Sequence, residues 1–363
     1  MRKITLSFAA CILSLPLFAD DSIIIEGPDG QEYHEFMQQL TEQGFSGTIL
    51  VAKEGKVILA NGYGLADREE NISNSPQTVF TFGSITKQFT GAAILKLEMQ
   101  GKLKTIDKIT KFFNNVPKDK KDITLHHLLT HTAGFKSDYA DDFDPVGREE
   151  YMEKMFSARN RTDPGERHRY SNAGYSMLGA IVEKVSGQSY DQYLRDNLFI
   201  PVGMNDTGYL LPDWDKSRLA QGYTADGKWG TLLDKNWDTD GPYWNLRANG
   251  GIMSTVLDMY KWHLALLDDT VLNKKARRKL FKRHVAEDDS GNWHYGYGWA
   301  IATTERDTTL ITHNGGNGIF FADFRRYIDE DIVFIYTCNY VDELTGEMER
   351  LIRKQAVNPP AIP

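Results

Sequence analysis

The sequence predicts an α/β fold of the α+β type: one antiparallel sheet drawn from both ends of the chain, flanked by helices, with a mainly helical lobe inserted between. Three observations lead there. β-prone runs cluster between residues 48 and 60 and return only after Gly291. Helical periodicity fills most of the interval between them. At 363 residues the chain exceeds the size at which a single core stops growing, so a second lobe is expected. With 41% hydrophobic and 25% charged residues, the composition excludes a disordered or fibrous chain.

Residues 1–19 read as an export signal. Arg2 and Lys3 precede an apolar stretch, Ile4–Phe18, and Ala19 offers a small residue for cleavage. The stretch is shorter than the roughly 20 residues a bilayer span needs. The expectation is a periplasmic or secreted chain from residue 20, with no transmembrane segment once the signal is lost. Cleavage would remove Cys11 and leave Cys338, so no internal disulfide is expected and a buried structural thiol is. The net charge of −8 argues against a nucleic-acid partner.

The elements follow in order. Helical periodicity runs from Glu35 to Leu40. Thr48–Ala52 and Val57–Ala60 flank Lys53-Glu54-Gly55-Lys56 and form a hairpin. Asp67–Gln77 is loop. Thr86–Gln100 is a helix apolar on more than one side, which places it in the interior. Residues 102–200 are expected to be mostly helical, with helices at Leu125–Thr130, Tyr175–Val185 and Ser189–Leu198. Residues 205–245 are irregular and hold Trp214, Trp229, Trp237 and Trp244. Helices follow at Thr255–Leu267 and Val271–Arg283. The closing strands are Tyr295–Thr303, Thr309–His313, Gly318–Tyr327 and Asp331–Tyr336, and a last helix covers Glu343–Lys354. The expected domain spans 20–363, with 20–85 and 290–363 as the α/β lobe and 86–289 as the helical lobe and cleft segments. A cleft between the lobes is the natural site.

Three segments carry candidate chemistry. Ser84 and Lys87, in Gly83-Ser84-Ile85-Thr86-Lys87, stand three apart at a helix start, with Cβ atoms about 5–6 Å apart. An amine there can take the proton of a hydroxyl that is a weak nucleophile on its own, and unpaired helix N–H groups favour an oxyanion. Tyr170-Ser171-Asn172 supplies a phenol for proton exchange and an amide able to reach a substrate carbonyl and the lysine; Ser171 or Asn172 also suits a helix cap. His313-Asn314-Gly315-Gly316 ends a strand, and its glycines let a substrate lie close to the backbone.

In order and separation these segments resemble the three active-site elements of the serine β-lactamase and penicillin-binding-protein superfamily, closest to the branch of class C β-lactamases, D-alanyl-D-alanine carboxypeptidases and related esterases. Leu125–Phe135 and Gly250–Thr255 resemble that branch too, and the likeness covers roughly residues 45–340. It implies a β-lactamase/transpeptidase-like fold and no cofactor or metal. It makes Ser84 the acylated nucleophile, Lys87 its activator and Tyr170 a proton shuttle. Asn172, His313, Asn314 and Gly315 become substrate-binding residues, and the N–H groups of Ser84 and Gly316 the oxyanion hole. The implied substrate is a small molecule or peptide, cell-wall-derived material among the candidates. The third element of class C β-lactamases begins with lysine; His313 stands here, mostly uncharged at neutral pH with an ordinary pKa near 6.5. Histidine stands at this place in some carboxypeptidase-like and peptidase-like members, so the resemblance makes peptidase or carboxypeptidase-like action on D-amino-acid peptides the leading expectation. Esterase, β-lactamase and a non-catalytic binding protein are the alternatives. Oligomeric state is left open.

Other patterns fall short. Gly222–Gly227 with Lys228 has phosphate-loop spacing, but Trp229 replaces the hydroxyl residue. Asn236, Asp238 and Asp240 imitate a calcium loop whose twelfth position is Arg247. His127 and His131 lack the glutamate of a zinc protease and read as structural.

Overall fold

The computed structural model describes residues 23–342, 345–346 and 350. The export signal expected at 1–19 and most of the helix expected over 343–354 lie outside the described residues.

The main sheet has nine strands: β1 (Ile24–Ile25), β2 (Gly47–Lys53), β3 (Lys56–Tyr63), β4 (Val285–Ala286), β5 (Trp293–Tyr295), β6 (Ala300–Thr303), β7 (Thr309–Gly316), β8 (Phe321–Tyr327) and β9 (Ile332–Cys338). Their order across the sheet is β1-β3-β2-β9-β8-β7-β6-β5-β4, and every pairing is antiparallel. The β2–β9 seam, Ile49 opposite Tyr336 and Val51 opposite Phe334, joins the two ends of the chain.

Side-chain alternation explains why these strands are apolar on both faces. Ile49 and Val51 of β2, with Phe334 and Tyr336 of β9, pack under Tyr33, Met37 and Leu40 of helix α1 (Gly27–Glu42). Leu50 and Ala52, with Val333 and Ile335, face the opposite way into the large core shared with the helical lobe. The result is three layers: α1, sheet, helical lobe. Cys338 is buried on the α1 side, and burial pushes its thiol up to about 12, as suits a structural residue.

Helix α2 (Thr86–Met99) is the spine of the lobe, buried at every residue from Thr86 to Leu95. Phe89 meets Phe199 and Trp262 at ring separations of 5.0 Å each. Around it stand α3 (Leu125–Leu129), α4 (Arg148–Ser157), α5 (Asn172–Ser186), α6 (Tyr190–Leu194), α7 (Val256–Ala265) and α8 (Lys274–Leu280). Among the described residues, no helix is long and apolar enough to cross a membrane.

Several boundaries differ from expectation, each for a local reason. Residues 102–147 are mostly turns and single 3-10 turns, with α3 the one α-helix, so the expected helical character begins in earnest at Arg148. The helix expected from Val271 starts at Lys274 because Asn273 caps it, its Oδ1 accepting from the Ala276 N–H at 3.0 Å. The strand expected over Tyr295–Thr303 is broken between β5 and β6 by a turn at Gly296–Gly298. Residues 65–73 and 222–230, expected to be loop or irregular, each contain a short strand pair.

The patterns set aside above find other employment. Lys228 pairs with Asp67 at 3.0 Å within the 222–230 hairpin. Asp240 accepts from both terminal nitrogens of Arg247, at 3.0 and 2.5 Å, so the twelfth residue of the imitation calcium loop is a built-in counter-ion.

Candidate active site

Ser84 lies in the 3-10 turn Gly83–Ile85 that runs into α2. Lys87, in the first turn of α2, is wholly buried. Its Nζ donates to Ser84 Oγ at 3.0 Å and to the Asn249 carbonyl oxygen at 2.7 Å. Burial lowers the Lys87 ammonium to about 7, with Asp138 and Asp142 pulling the other way. At neutral pH the amine is therefore free in a large fraction of molecules, beside a hydroxyl it can deprotonate.

Tyr170 precedes α5 and is 38% exposed, which leaves it open to an incoming substrate. The centre of its ring lies 4.8 Å from Lys87 Nζ. Although the residue as a whole is part exposed, the protein packed around its hydroxyl desolvates that group and raises it well above the ordinary phenol value; a hydrogen bond with Ser84 opposes that shift, and Asp138 and Glu287 add to it. Ser171 caps α5, its Oγ accepting from the Gly174 N–H at 3.2 Å.

The end of β7 packs against the turn that carries Ser84. A side chain at Gly315 would stand 2.1 Å from the Phe82 carbonyl oxygen and 2.5 Å from the Ser84 nitrogen. Gly83, at φ +48°, has the Gly316 nitrogen 2.6 Å from where its own Cβ would be. Two glycines thus let strand and turn touch, and they bring the backbone nitrogens of Ser84 and Gly316 to one place.

His313 is 6% exposed. Its Nδ1 donates to the Asn314 carbonyl oxygen at 2.6 Å, so Nε2 accepts from the Tyr295 hydroxyl at 2.9 Å. Burial first, and Lys87 second, push the imidazole down to about 3. His313 is neutral at working pH and offers no fixed positive charge. Asn314 is exposed and alternates to the other face of β7. It does not line the cleft at Ser84 and serves His313 through its carbonyl.

Asn172 opens α5 and lines the cleft. The contact expected between its amide and the lysine is not made: its Nδ2 donates to Asp138 Oδ2 at 3.3 Å. The lysine's second partner comes instead from the loop at Asn249. That loop is pinned by Asn249 Nδ2 donating to Ser176 Oγ and the Asn245 carbonyl, each at 2.8 Å. It is also pinned by Arg247, whose carbonyl accepts from Ser176 Oγ at 3.0 Å.

The cleft, about 50 Å³, is lined by Ser84, Asn172, Asp142 and Gly316, with Phe143, Leu232 and Leu246 as an apolar wall. None of the four tryptophans in 205–245 is among its lining residues. A larger surface groove, about 660 Å³ and bordered by Phe112, Met152 and Lys184, shares no residue with it.

Two residues were missed as contributors. Asn249 follows no local motif; its one signal is the neighbouring Gly250-Gly251. His131, read as structural, is structural for the site itself. At φ +57° and 1% exposed, its Nδ1 accepts from the Ser171 N–H at 3.0 Å and its carbonyl from the Arg169 N–H at 2.8 Å. The centre of its ring lies 4.2 Å from that of Tyr170, the two planes tilted by 34°. Burial and Lys87 hold it well below the ordinary imidazole range, hence neutral.

Fold and site together define the serine-hydrolase superfamily that includes β-lactamases and penicillin-binding proteins. The chain belongs to the Beta-lactamase family, whose model matches residues 33–357. Two Bacillus subtilis (strain 168) proteins named as penicillin-binding proteins are 31% identical over 263 residues and 27% over 328; the matches cover 72% and 86% of this chain and 64% and 71% of theirs. The chain thus spans about two thirds of the length of these relatives. The penicillin binding protein structure from Bacillus halodurans aligns with a TM-score of 0.72 at 28% identity, covering 87% of this chain and 99% of that one. The D-amino acid amidase of Ochrobactrum anthropi SV3 shares the fold, with a TM-score of 0.76 at 22% identity over 90% of this chain and 97% of that one.

Proposed function

We propose that this chain is an exported serine hydrolase that forms an acyl-enzyme at Ser84 and cleaves peptides containing D-amino acids, with residues 1–19 removed and 20–363 as the hydrolase domain. The observation that supports it is the 3.0 Å contact between a buried amine held near neutrality and the hydroxyl of Ser84. In the proposed cycle Ser84 Oγ attacks the carbonyl carbon as its proton passes to Lys87. The oxyanion sits between the N–H groups of Ser84 and Gly316. The bond to the leaving group breaks, and the leaving group takes a proton from the Lys87–Tyr170 pair. Water then attacks the acyl-enzyme, its proton passing through the Tyr170 hydroxyl to Lys87; the bond between Ser84 Oγ and the acyl carbon breaks as Oγ takes that proton back, and the acid departs. Asn172 and the edge of β7 at Gly315 and Gly316 orient the substrate.

His313 favours a second reading, esterase action. Its neutrality leaves the third element without the cation that would hold a β-lactam or C-terminal carboxylate, and an ester needs none. The test is a panel of p-nitrophenyl acetate, a D-alanyl peptide and a chromogenic cephalosporin, with intact-mass detection of the acyl adduct. The expected result is turnover of the first or second, an adduct on Ser84, and loss of both in Ser84→Ala. Reversible peptide binding indifferent to Ser84→Ala, with no turnover of any donor, would instead identify a non-catalytic binding protein.

A further inference from the structure

The charge of the cleft is one-sided, and it faces the substrate as well as Lys87. No lysine or arginine lines the cleft; its one ionisable lining group is the carboxylate of Asp142. Lys87 lies behind Ser84, buried and held near neutrality, and His131 and His313 are neutral. No hydrogen-bond donor among the described residues compensates Asp142; burial and the neighbouring Asp138 destabilise its charge, and Lys87 offsets this only in part. Two further acceptor atoms, Asp138 Oδ1 and Asn172 Oδ1, are buried with no hydrogen-bond partner. Asn172 and Asp138 are joined at 3.3 Å, so these lone pairs add negative potential behind the cleft wall.

Such a site repels a substrate carboxylate and suits a cation. An ammonium brings three donors and the charge that Asp142 lacks, and pairing with it would relieve the cost of burying the carboxylate. We infer that the cleft takes acyl donors with a free α-ammonium beside the scissile carbonyl, namely N-terminal aminoacyl amides, esters or peptides, with Asp142 as counter-ion. The wall of Phe143, Leu232 and Leu246 would receive an apolar side chain. This assignment rests on acyl transfer at Ser84 and narrows its substrates to those attacked at the amino end of a chain.

The experiment compares D-alanine p-nitroanilide with its N-acetyl derivative, the L-forms alongside, and p-nitrophenyl acetate as a donor that carries no charge. In wild type the free amine should exceed the acetylated form in kcat/KM by about tenfold or more. The ratio should fall towards one in Asp142→Asn and recover in Asp142→Glu. Because each ratio is taken within one variant, a partly misfolded preparation does not distort it. As a measurement free of variants, D-alaninamide should inhibit wild-type ester hydrolysis more strongly than N-acetyl-D-alaninamide. A ratio of one or less in wild type that hydrolyses p-nitrophenyl acetate, or a ratio unmoved by Asp142→Asn, overturns the ammonium subsite and leaves Ser84 chemistry standing. Failure to hydrolyse any of the donors, with no adduct, removes both.

Discussion

At the scale of single residues, the proposed cycle makes Lys87 the group that sets the pH at which the site can work. Its ordinary value near 10.4 is brought down to about 7 by burial. Below that pH the amine carries a proton and cannot accept another from Ser84; above it the free base predominates. kcat/KM for an uncharged ester should therefore rise as pH passes through about 7, with one proton lost. Lys87→Met should lower it by about 10²–10⁴-fold. A stopped-flow pH profile checks both, and an activity flat from pH 5 to 8 would remove Lys87 from the role of base. His131 acts one step behind, through Tyr170. His131→Asn tolerates the positive φ but loses the ring beside Tyr170, whereas His131→Phe keeps a ring and strands the Ser171 N–H. The Phe variant should lose about 1–3 kcal/mol of stability for that buried donor. Both variants should lose kcat more than KM, because Tyr170 loosens while the cleft stays intact. Denaturant melts and steady-state kinetics separate the two effects.

At the scale of elements, the site depends on how closely β7 approaches the Gly83–Ile85 turn. Gly315→Ala puts a methyl group 2.1 Å from the Phe82 carbonyl oxygen, so the strand must back away and carry the Gly316 N–H from Ser84. The expected outcome is a fall in kcat/KM of about 10²-fold or more, the usual cost of losing one oxyanion donor. Tm should drop by only a few degrees. Wild-type kinetics in Gly315→Ala would show that this approach does not matter. The segment was legible in the sequence because its information is local: a β-prone run, a histidine and a glycine pair within eight residues. Ser84 and Lys87 were legible for the same reason, one helical turn apart. Asn249 was not, because its carbonyl meets Lys87 across 162 residues of chain and no spacing rule spans that distance. The amide of Asn172 was placed on the wrong partner because nothing local shows that Asp138 stands nearer to it. The helical character expected over 102–147 was lost to turn chemistry: Pro117, Gly134 and Pro145 punctuate the stretch, and Asp, Asn, Thr and Ser residues crowd between them.

At the scale of the whole molecule, the sheet ties β7 to both ends of the chain. β7 pairs with β8, β8 with β9, and β9 with β2, so two strands, β8 and β9, lie between Ser84's neighbour at Gly315 and the seam that closes the fold. Strand alternation and the two β-prone clusters made this sheet readable from sequence. That the two clusters share one sheet followed from economy, since one sheet buries what two half-sheets would expose. Such long-range pairing makes folding slow and unfolding cooperative. Cys338, on β9 in the core beneath α1, reports on that cooperativity. In a Cys11→Ser chain it is the sole thiol. Buried, and with its thiol pushed up to about 12, it should resist a disulfide reagent in native buffer. As denaturant rises, its labelling should begin at the concentration where esterase activity is lost, because opening β9 from β2 releases the sheet that holds β7 against Ser84. Labelling at a lower concentration, with activity intact, would mean that the α1–β9 side opens on its own and that the site is held by the helical lobe alone.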